Sequence, residues 1–277
     1  MGICPNEAER AEGAGAEGAE GAGAEGAGAE AEVAKGAEGA GAEVAEGAGA
    51  EGAEVAEVAE GGDAEGTEGE CADGADLDAL IHAAGSGATL CWDTETSSLV
   101  GHVIQIAIVA MPRGALTTDG TLPGHVSYCR HWFLSKDVEL DARAVAVHGI
   151  TRTHLDKHGC VVLAGLQAIA AVVHAGRVGK AQWVAHNASF NVARLNHTAT
   201  FHGAPAVLGR DEVVCTMRAS STHCGLKSRT GRAKSPQCDE LYTYLYKRPC
   251  AGKLHDALAD ATLLASCFLG GRHRGWW

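Results

Sequence analysis

Two carboxylates two residues apart, Asp93 and Glu95, follow an apolar run from Ala88 to Trp92 whose composition predicts a β-strand. In an extended chain such residues point to one face, about 6.5 Å apart. Oxygen donors gathered at a strand end suit a hard divalent cation such as Mg²⁺ or Mn²⁺. Asp-x-Glu is a common tripeptide, so the pair needs support from elsewhere in the chain. His255 and Asp260 bracket the segment Asp256-Ala-Leu-Ala259. Within one helix, five residues would set them about 140° apart. The spacing therefore predicts His255 in a loop or first turn and Asp260 inside the helix, a metal ligand beside a general base. The plainer alternative makes Asp256 an ordinary acid at a helix start and His255 merely exposed. A third segment, Val184-Ala-His186-Asn187-Ala-Ser-Phe190-Asn191, reads as strand, turn and helix. It would set polar side chains at the carboxyl end of a sheet, where α/β ligand sites gather. Its plainer alternative is a helix capped by Asn187 or Ser189.

Apolar periodicity supplies elements that would position these residues. A short helix is expected over Leu77 to Ala84, then strands at Ala88 to Trp92, Val103 to Met111 and His125 to Leu134. Helical spacing follows over Val138 to Val147 and Val161 to Ala175, then a strand over Gln182 to Ala185. A helix is expected from Ser189 to about Phe201, a fifth strand over Glu212 to Thr216, and helices over Asp239 to Tyr246 and Asp256 to Phe268. Strands first, then strand and helix in alternation, predict an α/β domain with a mixed sheet.

Charge and composition divide the chain. Its 277 residues carry 22 Lys+Arg and 35 Asp+Glu, a net charge of −13. Residues 1–76 hold 21 acids and 2 bases, a balance of −19; the remainder is +6. The first segment is built from irregular Gly-Ala-Glu units and has no Phe, Trp, Tyr or Leu. It cannot bury enough surface to offset the entropy of ordering, so 1–76 is expected to be a disordered acidic tail. Uneven repeat steps exclude collagen, and the lack of an apolar face excludes a solenoid. A domain is expected over 77–271, with a short basic and aromatic tail at 272–277. Ten cysteines without a Cys-x-x-Cys spacing, and no leader-like apolar start, predict reduced thiols in an intracellular protein, cytoplasmic or nuclear, not a secreted one. The 19 uncharged residues from His158 to Gly176 match a membrane span in length. Their Ala- and Gly-rich composition predicts instead a core helix and no membrane partner.

Taken in order, Cys-Trp-Asp93-Thr-Glu95-Thr96-Ser-Ser-Leu99, Ala-His186-Asn187-Ala-Ser-Phe190-Asn191 and His255-Asp-Ala-Leu-Ala-Asp260 resemble the three exonuclease motifs of the DEDDh superfamily. Lesser echoes lie in Val103-Ile-Gln-Ile-Ala-Ile, Val147-His-Gly-Ile-Thr151, Cys215-Thr-Met217 and Leu241-Tyr242. The resemblance implies an RNase H-like fold with a five-stranded mixed sheet flanked by helices. It also implies 3′→5′ exonucleolytic hydrolysis of single-stranded DNA or RNA with two Mg²⁺ or Mn²⁺ ions. Asp93, Glu95 and Asp260 would hold the metals and His255 would take the proton from the attacking water. Thr96, Leu99, His186, Asn187 and Phe190 match positions expected to touch or support the 3′ end.

One position departs from the pattern: the family's fourth carboxylate is Asn191 here, a neutral oxygen donor in the place of a charged one. No Asp or Glu occurs from residue 157 to 210, so the sequence offers no substitute nearby. The alternative reading is thus a catalytically impaired nucleic-acid-binding module, within a polymerase or repair complex; a purely structural domain is a third. The run Lys227-Ser-Arg229-Thr-Gly-Arg232-Ala-Lys234 puts four bases in eight residues, suited to backbone phosphates or to a plain solvated loop. The terminal Arg272-His-Arg274-Gly-Trp276-Trp277 would either stack on unpaired bases or pack on the domain.

Overall fold

A computed structural model describes residues 74–122, 128–133, 138–251 and 254–277, with backbone alone for 74–76 and 128–133. The expectations for residues 1–73, including most of the acidic tail, lie outside the described residues. The described elements are α1 (Gly74–Gly85), β1 (Thr89–Thr96), β2 (Val103–Met111), β3 (Tyr128–Phe133), α2 (Ala142–His148), α3 (Arg152–His158), α4 (Val162–Gly179), β4 (Gln182–Ala185), α5 (Ala188–Phe201), β5 (Val213–Cys215), α6 (Thr216–Cys224), α7 (Cys238–Tyr246) and α8 (Ala257–His273).

The strands form one sheet in the order β3-β2-β1-β4-β5. β1 pairs antiparallel with β2 and parallel with β4; β2–β3 is antiparallel and β4–β5 parallel. Helices cover both faces, so the strand interiors read as apolar runs rather than alternations. β2 is buried along all nine residues. On one face, Leu90 and Trp92 join Leu80 of α1, Ile169 and Val173 of α4, and Val192 and Leu195 of α5. On the other, Cys91, Val109 and Val184 meet Ala261, Leu264 and Phe268 of α8.

Helix α4 is long and apolar enough to cross a membrane by length and composition alone. In this fold it turns a stripe of Val162, Leu166, Ile169, Val172 and Val173 into the first core cluster. Gly179 lets α4 and α1 touch backbone to backbone: a Cβ there would stand 2.3 Å from the Gly85 carbonyl oxygen.

Three of the differences from the sequence expectations bear on the site and its surroundings. β1 runs on through Asp93 and Glu95 to Thr96, because these residues pair with Ala107 and Gln105 of β2; a register shift follows Glu95. The helix expected over Val138 to Val147 starts only at Ala142, behind an Asp141 cap, and α3 follows it after Gly149 turns at φ 76°. α8 continues five residues past Phe268, and the terminal segment folds back on it. There Trp277 stacks on Phe268 and its Nε1 donates to the Phe268 carbonyl at 2.9 Å, while Trp276 lies flat on His223. The C-terminal aromatics are thus packed on the domain surface.

Candidate active site

Strand periodicity places the first two carboxylates. Asp93 and Glu95 continue the face of β1 that carries Cys91, the face against which α8 packs. Helix α8 brings the other two groups. Asp256 caps it, accepting from Leu258 N and Ala259 N at 3.1 Å each. Residue His255 stands just before the cap, at φ 65°. Its backbone N–H donates to Asp260 Oδ2 at 2.9 Å, which holds this left-handed turn closed. Ligand atoms of Glu95, His255 and Asp260 lie within 4.8 Å of one another. His255 in the turn and Asp260 in the helix is the arrangement the spacing predicts.

A residue outside the quoted motifs' assigned roles fixes this geometry. Gln105 of β2 is buried, opposite Glu95. Its Nε2 donates to Asp256 Oδ2 at 2.9 Å and its Oε1 accepts from Ala257 N at 3.0 Å. One amide thereby ties the start of α8 to the sheet.

The third segment arrives from β4. Asn187 takes the N-cap position of α5 at φ 61° but makes no side-chain cap bond, so the capping alternative is not what its side chain does. Asn191, on the first turn of α5, is 2% exposed. Its Nδ2 donates to Asp93 Oδ1 at 2.8 Å and its Oδ1 accepts from Thr94 Oγ1 at 3.2 Å. Burial pulls the His186 imidazole below the ordinary range, against the opposing effects of the Pro236 carbonyl and Asp239. Its Nε2–H donates to the Pro236 carbonyl and its Nδ1 is hydrogen-bonded with Thr216 Oγ1, both at 2.9 Å.

These residues surround a cavity of about 390 Å³ lined by Asp93, His186, Asn187, Asp239, His255 and Asp260, with Ser235 to Cys238 on its rim. Of the expected substrate contacts, His186 and Asn187 line it. Thr96 is buried, Phe190 is half-buried on α5 and Leu99 is 79% exposed; none of the three lines this cavity. A larger cavity of about 720 Å³ opens beyond Ser97 and Ser98, against Val138 to Ala142 and Phe201, but the motif carboxylates do not reach it. The basic run folds as a closed loop outside the lining of this cavity, ahead of the Ser235 to Cys238 segment. Lys227 bridges to Ala233, and Ser228 N donates to the Arg232 carbonyl at 2.8 Å. Lys227, Arg229 and Arg232 are exposed, while Lys234 pairs with Glu240 at 2.6 Å.

The electrostatics call for a cation. Burial, then the charge of Asp260, pushes Asp93 up to about 8, although the Asn191 amide and the Thr94 backbone pull the other way. Glu95 is also pushed up to about 8, by burial and then by Asp93, Asp260 and Asp256. Burial raises Asp260 too, opposed by His255 and reinforced by Asp256 and Asp239. Carboxylates that repel one another in a half-buried pocket are stabilised when a divalent cation lies between them. The donor set of oxygens plus one imidazole is chemically suited to Mg²⁺ or Mn²⁺.

The family model for exonucleases of the RNase T type matches residues 90–268. This chain belongs to that family. With it comes membership of the DEDD-type, RNase H-like exonuclease superfamily, as the motif resemblance implies. Solved structures share the fold at low identity. An Escherichia coli Exonuclease I complex with a 5cy-dT13 oligonucleotide is 15% identical, with a TM-score of 0.52 over 68% of this chain and 41% of that one. The Mg²⁺- and Mn²⁺-bound form of Schizosaccharomyces pombe Pop2p is 13% identical, with a TM-score of 0.51 over 73% of this chain and 89% of that one. Exonuclease X in complex with 5′-overhanging duplex DNA is 24% identical, with a TM-score of 0.43 over 68% of this chain and 94% of that one. This chain therefore spans less than half of the Exonuclease I chain. A comparison with curated protein sequences finds no match.

Proposed function

We propose that this exonuclease-family domain is a divalent-metal-dependent 3′→5′ exonuclease acting on the 3′ ends of single-stranded nucleic acid. The observation that carries the reading is the convergence of ligand atoms of Glu95, His255 and Asp260 within 4.8 Å, with His255 and Asp260 lining one cavity together with Asp93. Asp93, Glu95 and Asp260 would hold two cations, with the Asn191 amide donating to Asp93 rather than adding a charge. Bound there, Mg²⁺ or Mn²⁺ would stabilise negative charge on the attacking and leaving oxygens of the phosphodiester. His255 accepts the proton of the attacking water at a ring nitrogen, its place fixed by the bond from its own N–H to Asp260. His186 pins the Ser235 to Gln237 rim to the end of β4 and keeps the cavity wall in place. The exposed Lys227, Arg229 and Arg232, a few residues before that rim in the chain, would supply positive charge to backbone phosphates of a bound strand. Support for a nucleic-acid substrate and for these ions also comes from the oligonucleotides and metals named for the Exonuclease I and Pop2p structures.

A second reading, a binding module without turnover, is favoured by the direct bond from the Asn191 amide to Asp93. One experiment separates the two. A 5′-labelled single-stranded oligonucleotide, as DNA and as RNA, is incubated with Mg²⁺ or Mn²⁺ and the natural chain, Asn191→Asp or Asp93→Ala. A ladder shortening from the 3′ end with the natural chain, and not with Asp93→Ala, supports the exonuclease. A ladder from Asn191→Asp alone supports the binding module. No ladder from either overturns the enzymatic reading.

A further inference from the structure

An acid remote in the chain from the motif residues, Asp239, lines the same cavity as Asp93 and Asp260. The segment from Ser235 to Asp239, leading into α7, also lines this cavity. Two acids occupy the first turn of that helix, Asp239 and Glu240. Glu240 is accounted for by the helix itself: its Oε2 accepts from Gln237 N at 2.9 Å in a capping box and its Oε1 pairs with Lys234 at 2.6 Å. Asp239 takes no part in that cap. Among the described residues its carboxylate has no hydrogen-bond or ion-pair partner, and it is half-buried in the wall of the cavity that Asp93 and Asp260 also line.

We propose that Asp239 supplies the fourth negative charge of the metal site in place of the Asp absent at residue 191, directly or through a bound water. The proposal rests on the metal-dependent reading above. Asp93, Asp239 and Asp260 line the cavity, and with Glu95, whose carboxylate lies near Asp260, they make four acids, the number that balances two divalent cations. A cation held between Asp239 and the Asp93 and Asp260 carboxylates that line the same cavity would offset the repulsion among them. Asn191 meanwhile keeps a role a carboxylate could not fill: its amide donates to Asp93 and holds that side chain in place.

The test is a double-mutant cycle on Mn²⁺ affinity, read by titration calorimetry and by loss of the free-ion EPR signal, with no substrate present. The full-length natural chain, Asp239→Asn, Asn191→Asp and the double variant are compared. Asp93→Ala serves as the reference for Mn²⁺ held by the acidic tail. In the natural background Asp239→Asn should weaken the Asp93-dependent binding by about tenfold or more, as loss of a full charge beside a half-buried divalent ion demands. In the Asn191→Asp background the same substitution should cost no more than about two- to threefold, because the charge has been restored elsewhere. Asp239→Glu should retain the affinity, which separates lost charge from a damaged helix start. No loss in the natural background, or equal losses in both, overturns the proposal. If Asp93→Ala leaves Mn²⁺ binding unchanged, the metal-dependent reading itself fails and takes this proposal with it.

Discussion

His255 carries the most specific chemistry at the scale of single residues, and its backbone shows why the position tolerates little change. A non-glycine residue at φ 65° is strained, and here the strain is held by the bond from its N–H to Asp260. If His255 is the proton acceptor, His255→Ala should lower the cleavage rate by about 10²- to 10⁴-fold. Mn²⁺ binding, carried by the carboxylates, should persist in that variant; an equal collapse of Mn²⁺ affinity would make His255 a ligand instead. The residues of this centre were largely legible in the sequence, because Asp-x-Glu at a strand end and a His five residues before an Asp are local patterns. Asn191 was legible as a departure but its effect was not. Whether that amide faces a metal or donates to Asp93 depends on how α5 packs against β1. Asp239 was hidden for a related reason: an acid in the first turn of a helix looks the same whether it serves the helix or a cavity wall.

Between elements, the contact that matters most is the one from Gln105 to the start of α8. Removing it as Gln105→Ala leaves the buried Ala257 N–H unsatisfied and frees one side of Asp256. The expected cost is about 1–3 kcal/mol of stability. Because His255 and Asp260 ride on the same turn, the cleavage rate should fall as well, which a purely structural amide would not require. Denaturant unfolding and a single-turnover assay check the two effects separately. Gly179→Ala probes an element contact remote from the cavity. The new methyl would meet the Gly85 and Ala84 carbonyl oxygens, and overpacking of this kind costs about 1–3 kcal/mol. For a domain of this size that lowers Tm by about 2–4 °C per kcal/mol, with the cleavage rate at 25 °C unchanged. Long apolar elements such as β2 and α4 were readable from periodicity alone. Helices α3 and α6 were not. α3 buries only Leu155, leaving no stripe to detect. α6 is a run of polar residues whose Ser220 and Ser221 hydroxyls bond back to the Thr216 and Met217 carbonyls.

For the molecule as a whole, the raised carboxylates make metal-free stability a function of pH with a definite sign. Asp93 and Glu95 hold their protons up to about 8 in the folded state, against ordinary values of 3.8 and 4.5. Between those limits the folded protein binds protons that the unfolded chain has released. Stability contributed by the pair is therefore complete in acid below the ordinary values and is lost as pH rises towards 8. The buried imidazoles of His148 and His186 are shifted downward and act oppositely, adding stability as pH rises through the ordinary histidine range. The carboxylate contribution is isolated by comparison with an Asp93→Asn, Glu95→Gln double variant. In chelator-treated protein, Tm of the natural chain relative to that variant should fall steadily from pH 5 to pH 8. Saturating Mg²⁺ or Mn²⁺ should raise Tm of the natural chain more at pH 8 than at pH 5, since at the lower pH the cation must displace protons to bind. The double variant should show little of either effect. A relative Tm that is flat or rises with pH would mean that the carboxylates stay ionised in the folded protein without a cation. The cavity would then already hold enough positive charge of its own, and the requirement for a divalent ion would lose its physical basis.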